Sequence, residues 1–93
     1  MSVSFFWCKV KDGPTELKVN QKGTWNLDGF WASVHPFQME VNKETVVKKG
    51  KAKMQYTFKT PGIYKVRFRE ICPIIGESAH SDWTDKIIVT VTT

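Results

Sequence analysis

The side chains with the sharpest chemistry in this chain are two histidines, two cysteines and a pair of aspartates close together in sequence. Catalysis needs a nucleophile, a base and an orienting group, or an acid and base pair, within hydrogen-bonding reach of one another. His35 and His80 stand beside Pro36 and Ser81 in segments without strand or helix patterning, which predicts solvated loop histidines. Cys72 and His80 are eight residues apart, and no nucleophile motif surrounds them. Cys8 and Cys72 form neither a C-x-x-C pair nor a zinc-ligand spacing. With no secretory leader ahead of them, they read as buried free thiols rather than as a disulfide. Asp82 and Asp85 flank Trp83 in Ser81-Asp82-Trp83-Thr84-Asp85 and could offer oxygens to Ca²⁺, but two acids without a third ligand read instead as a polar turn. The six glycines are scattered singly, so no phosphate-cradling loop is present. The expectation is no catalytic residue, no metal and no cofactor, and therefore no enzyme.

Charge and aromatic content offer the other handles. Residues 43–69 hold nine Lys and Arg against Glu44 alone, whereas the rest of the chain holds five basic and eight acidic residues. Such polarity could draw nucleic-acid phosphates or an acidic protein surface. Lys65, Arg67 and Arg69 are the candidate binding residues of this run. The competing reading is that outward lysines keep a small β protein soluble and blunt its edges. Four Trp, six Phe and two Tyr exceed the needs of one small core, so some rings should be exposed. Gly29-Phe30-Trp31-Ala32-Ser33-Val34-His35-Pro36 is the best place for them, with Trp31 and His35 as candidate contacts for a glycan or a protein. Trp25 or Trp31 is expected to be the core tryptophan.

These residues must be positioned by strands. Ala52, Met54, Tyr56 and Phe58 alternate with Lys51, Lys53, Gln55, Thr57 and Lys59, and Tyr64, Val66 and Phe68 alternate with Lys65, Arg67 and Arg69. Ile87, Val89 and Val91 do the same in a β-branched C-terminal run. Shorter strands are expected at Val3–Val10, Glu16–Val19, Thr24–Leu27 and Phe37–Val41, the last with Gln38 and Glu40 on its polar face. Turn residues at Asp12-Gly13-Pro14, Asn20–Gly23, Asp28-Gly29, Lys49-Gly50, Pro61-Gly62 and Ile75-Gly76 punctuate the runs. No capped 3.6-residue stripe is present, so helix is not expected.

The stretch Tyr56-Thr57-Phe58-Lys59-Thr60-Pro61-Gly62-Ile63-Tyr64-Lys65-Val66-Arg67-Phe68 resembles the E and F strands of immunoglobulin-like, bacterial Ig-like and PKD-type domains. From Gly62 to Phe68, and on through Gly76-Glu77-Ser78 and Ser81-Asp82-Trp83 to Val91, the chain is also similar to the F-to-G region of fibronectin type III domains. The resemblance implies that Pro61-Gly62 carries the chain from one sheet to the other. It also implies that the Tyr64 hydroxyl bonds the backbone a few residues upstream, as a tyrosine corner. Val66 stands where an antibody-type domain has its second Cys, so that domain's inter-sheet disulfide is not implied.

The reading is an all-β chain, a single Ig-like Greek-key sandwich over residues 1–93 with seven or eight antiparallel strands. Its function is expected to be that of a structural or binding module, a viral (virion-associated) or surface-displayed protein that docks to a protein partner or larger assembly. A glycan held by exposed tryptophans is the alternative, and a nucleic acid held by the basic strand faces ranks behind both. No segment reaches the roughly 18–20 apolar residues of a membrane span, so no membrane insertion is expected. The location would be cytoplasm or virion for a complete chain and extracellular for an excised domain.

Overall fold

Alternation of apolar and polar residues becomes two facing sheets in the computed structural model, which describes residues 7–30, 34–50, 52–71 and 81–93, with backbone only for 45–50. The strands are β1 (Cys8–Asp12), β2 (Glu16–Lys18), β3 (Lys22–Gly29), β4 (Phe37–Val41), β5 (Glu44–Gly50), β6 (Lys53–Thr57), β7 (Gly62–Glu70) and β8 (Ile87–Thr92). Among the described residues there is no helix. One sheet has three strands in the order β1-β3-β6, and the other has five in the order β2-β8-β7-β4-β5. The chain therefore crosses repeatedly between sheets, in the interlocked manner of a Greek key.

β2, β3, β4, β6, β7 and β8 contribute their apolar faces to one core, and Cys8 and Val10 of β1 pack against it. Trp25 and Met54 pair across β3 and β6, and Met39 and Phe68 pair across β4 and β7. Trp25 meets Phe68 from the opposite sheet with ring centroids 6.0 Å apart. Trp25, Phe37, Met39, Phe68 and Val89 are all fully buried, which makes Trp25 the core tryptophan. Burying side chains of this size stabilises a fold by roughly 1.5–3 kcal/mol each.

Pro61-Gly62 does lie where the chain leaves β6 for β7 in the other sheet. Tyr64 donates its hydroxyl to the Thr60 carbonyl at 2.7 Å, the bond a tyrosine corner requires, and its ring packs on Phe58 at 4.4 Å. Asn42 and Lys43, both with positive φ, close a two-residue turn between β4 and β5. This is the type I′ geometry that matches strand twist.

Several expectations are corrected. Asp28-Gly29 is not a turn but the end of β3, and Lys49-Gly50 ends β5, a strand that the sequence pattern does not reveal. The turn expected at Asn20–Gly23 lies instead at Val19 and Asn20, since β3 already begins at Lys22. Gln38 and Glu40 are buried rather than solvated, because β4 is an interior strand and the β7 arginines hydrogen-bond to them. The strands are not all antiparallel: after β1 pairs with β3, the chain changes sheets through Gly13-Pro14, and β2 runs parallel to β8. A Cβ on Gly13 would collide with the Trp25 indole, so the crossing depends on a glycine there. The expected turn at Ile75-Gly76, the start of the first strand at Val3 and the start of the Lys51–Lys59 run lie outside the described residues.

Candidate functional site

The candidate binding positions fall in two places. Lys65, Arg67 and Arg69 share the outer face of β7, in the five-stranded sheet. His35 lies at the end of the sandwich where β3 and β7 finish and β4 starts, while Trp31 lies outside the described residues.

At this loop end the surface is apolar and its support is polar. Trp7, Phe30 and Val34 are 46%, 56% and 50% exposed. Trp7 and Phe30 continue the β1–β3 ladder, with the Phe30 N–H donating to the Trp7 carbonyl. Beneath them His35 is not a solvated loop histidine, as its setting beside Pro36 suggested, but is 2% exposed. Its Nδ1 lies 3.1 Å from Oε2 of Glu70, itself fully buried. A buried carboxylate survives only with partners, and imidazole is one. The Glu70 N–H donates to Ser81 Oγ, and the Ser81 N–H donates back to the Glu70 carbonyl. Gly29 completes the arrangement, because a Cβ there would collide with Glu70 Oε1. The glycine that looks like a turn residue in the sequence is a seat for a carboxylate.

Cys8 borders the same cluster and opens on a groove of about 420 Å³ that Val10, Trp83 and Ile87 also line. Its thiol is free, and burial pushes it up to about 12, with the charges of Glu70 and Asp28 adding to the effect. Near neutral pH this sulfur keeps its proton and is a poor nucleophile or metal ligand. The Cys72 and His80 pair lies outside the described residues.

On the sheet face the arginines are organised. Arg67 donates Nε and Nη2 to the two carboxylate oxygens of Glu40 at 2.7 and 2.9 Å, and Arg69 donates Nε to Gln38 Oε1 at 2.6 Å. Both guanidinium groups lie over the Trp83 ring, with centroid distances of 4.6 and 4.5 Å. Trp83 is held there because residues 81–84 run along β7. The Thr84 N–H donates to the Phe68 carbonyl, and the Phe68 N–H donates to Thr84 Oγ1. Ser81 makes the equivalent exchange at Glu70, so the Ser81–Asp85 segment is more than a polar turn.

Sequence reasoning misses Glu70, Glu40 and the placement of Trp83. A signal exists for the last two: Gln38-Met39-Glu40 and Arg67-Phe68-Arg69 are complementary every second residue, which suits an antiparallel pair.

No family model matches the sequence, and no curated protein matches it. Solved structures do. The chain is similar to the PKD domain of an M14-like peptidase from a Thermoplasmatales archaeon, at 15% identity and TM-score 0.58, with 94% of each chain covered. It is also similar to the CARDB domain of a Pyrococcus furiosus protein solved in complex with di-metal ions, at 12% identity and TM-score 0.55, covering 99% of this chain and 96% of that one. These likenesses show the fold: the chain is an immunoglobulin-like β-sandwich. Among its described residues no three His, Cys, Asp or Glu side chains gather as metal ligands.

Proposed function

We infer that the protein is a non-enzymatic binding module that engages a protein partner through its loop end. The observation that carries this reading is the exposure of Trp7, Phe30 and Val34 above a base fixed by His35, Glu70 and Ser81. Exposed apolar groups on a rigid scaffold are what a binding loop needs, since little order remains to be imposed on contact. Display on a virion or a cell surface suits such a module, with the loop end directed outward.

A glycan is the second reading, favoured by the exposed Trp7 ring, which could stack on a sugar face. Nucleic acid has less support. Lys53 and Lys65 stand on opposite sheets, and the Arg67 charge is already matched by Glu40, so the basic positions form no continuous track.

The test compares the wild type with a Phe30→Ser/Val34→Ser double variant as immobilised baits in an extract of the source organism, with a glycan array in parallel. A defined protein retained by the wild type and lost from the variant, with unchanged melting, is the expected outcome. An array signal that depends on Trp7 would move the reading to glycan. Retention indifferent to both changes would overturn it.

A further inference from the structure

We propose that the outer face of the five-stranded sheet is a second docking surface, distinct from the loop end, and that it takes an acidic protein surface with aliphatic side chains at its centre. Ile63 and Ile88 are 69% and 47% exposed on β7 and β8, two adjacent interior strands of that sheet. Ile63 pairs with Thr90 and Ile88 with Lys65, so the two isoleucines are diagonal neighbours on one face. Interior strands have no edge to protect, and paired exposed isoleucines add nothing to solubility.

Charge selects the occupant. Lys65 lies beside both isoleucines and Arg67 continues the row on β7, while on β2 the exposed Lys18 and Glu16 offset one another. Arg67 is matched by Glu40, but unequally at the surface: the arginine side chain is 29% exposed and the glutamate 9%. An approaching molecule therefore meets the cation before its counter-charge. The Trp83 ring and the Gln38 and Glu40 acceptors hold both guanidinium groups flat, which lowers the entropy lost when they meet carboxylates. A second copy docked face to face would bring the same cations and is repelled. A polyanion such as DNA matches the charge but has no use for the isoleucines.

Selection of random 12-residue displayed peptides against the full chain tests this. Enriched peptides should carry several Asp or Glu with Leu, Ile or Val between them. Their affinity should fall at least tenfold with Ile63→Ser/Ile88→Ser and about fivefold with Lys65→Glu, weaken severalfold between 50 and 300 mM salt, and be unchanged by Lys53→Glu on the opposite sheet. Backbone amide shifts would report that each variant stays folded. Enrichment of basic or uncharged peptides, no enrichment, or binding indifferent to the isoleucines would overturn the proposal. So would heparin or single-stranded DNA binding more tightly than the peptides through Lys65. The Phe30→Ser/Val34→Ser variant should bind these peptides normally, which separates this surface from the loop end.

Discussion

On the outer face of the three-stranded sheet, β3 presents Lys22, Thr24, Asn26 and Asp28, and β6 presents Lys53 and Gln55. On the outer face of the five-stranded sheet, the same outward positions hold Ile63, Ile88 and the two arginines stacked on Trp83. Both sheets send their inner residues into a shared core, so folding demands the same of each. The difference lies outside, where folding demands little. The first face is what solvent exposure alone would produce. The second places aromatic, aliphatic and guanidinium groups on a surface that the fold does not need, and this points to recognition.

Four substitutions break or sharpen that contrast. The largest effect is expected from Trp25→Ala, which empties the core that both faces share. A loss of about 4 kcal/mol, read by denaturant unfolding, should abolish the two sheets together. Separate transitions would mean that the sheets are not one cooperative unit. Glu70→Ala comes next, at about 3 kcal/mol, because His35 loses the buried carboxylate that faces it, while the Ser81 bonds to the residue 70 main chain remain. Amide exchange should rise first around Gly29 and Ile71 at the loop end. Trp83→Ala should cost about 1–2 kcal/mol and free the Arg67 and Arg69 side chains in their Nε–H spectra. Gln55→Ala on the opposite face should stay within about 0.5 kcal/mol, and equal losses would erase the distinction between faces.

The smallest effect concerns pH. The Cys8 thiol has an ordinary value of 9.0 and is raised to about 12 in the fold. Below pH 9 both states hold the proton and stability is unaffected. From pH 9 towards 12 the unfolded chain alone gives it up, so stability falls. Because Cys8 is only half-buried, the slope should be well under the full ~1.4 kcal/mol per pH unit. The wild type should lose more stability than Cys8→Ser between pH 9 and 11, and parallel profiles would contradict the burial of the thiol.

Strands that alternate cleanly are legible in the sequence, as Met54 to Phe58, Tyr64 to Phe68 and Ile87 to Val91 illustrate. The Tyr64 corner is legible through resemblance, since its bond to Thr60 is local. β5 is not, because Val46 and Val47 are adjacent and followed by two lysines, which breaks the period of two. The change of sheet between β1 and β2 is hidden for another reason: a glycine at a tight turn and a glycine lying against an indole look alike in one dimension. The charge run from 43 to 69 misleads in detail. The counter-charge of Arg67 comes from Glu40, outside the run and reached only through sheet pairing. Likewise, the partner that buries His35 is 35 positions away.

The parallel pair of β2 and β8 carries a mechanical consequence. Thr90 donates its N–H to the Thr15 carbonyl and Val19 donates to the Thr92 carbonyl, each at 2.8 Å. Force applied across the first and last residues would pull these strands past each other along their length. Their hydrogen bonds would have to rupture together, and β1, which enters at the opposite end of the sandwich from Thr92, would likewise be loaded along its length against β3. The short strand β2 would thus act as a shear clamp, its three residues taking the load along the strand axis.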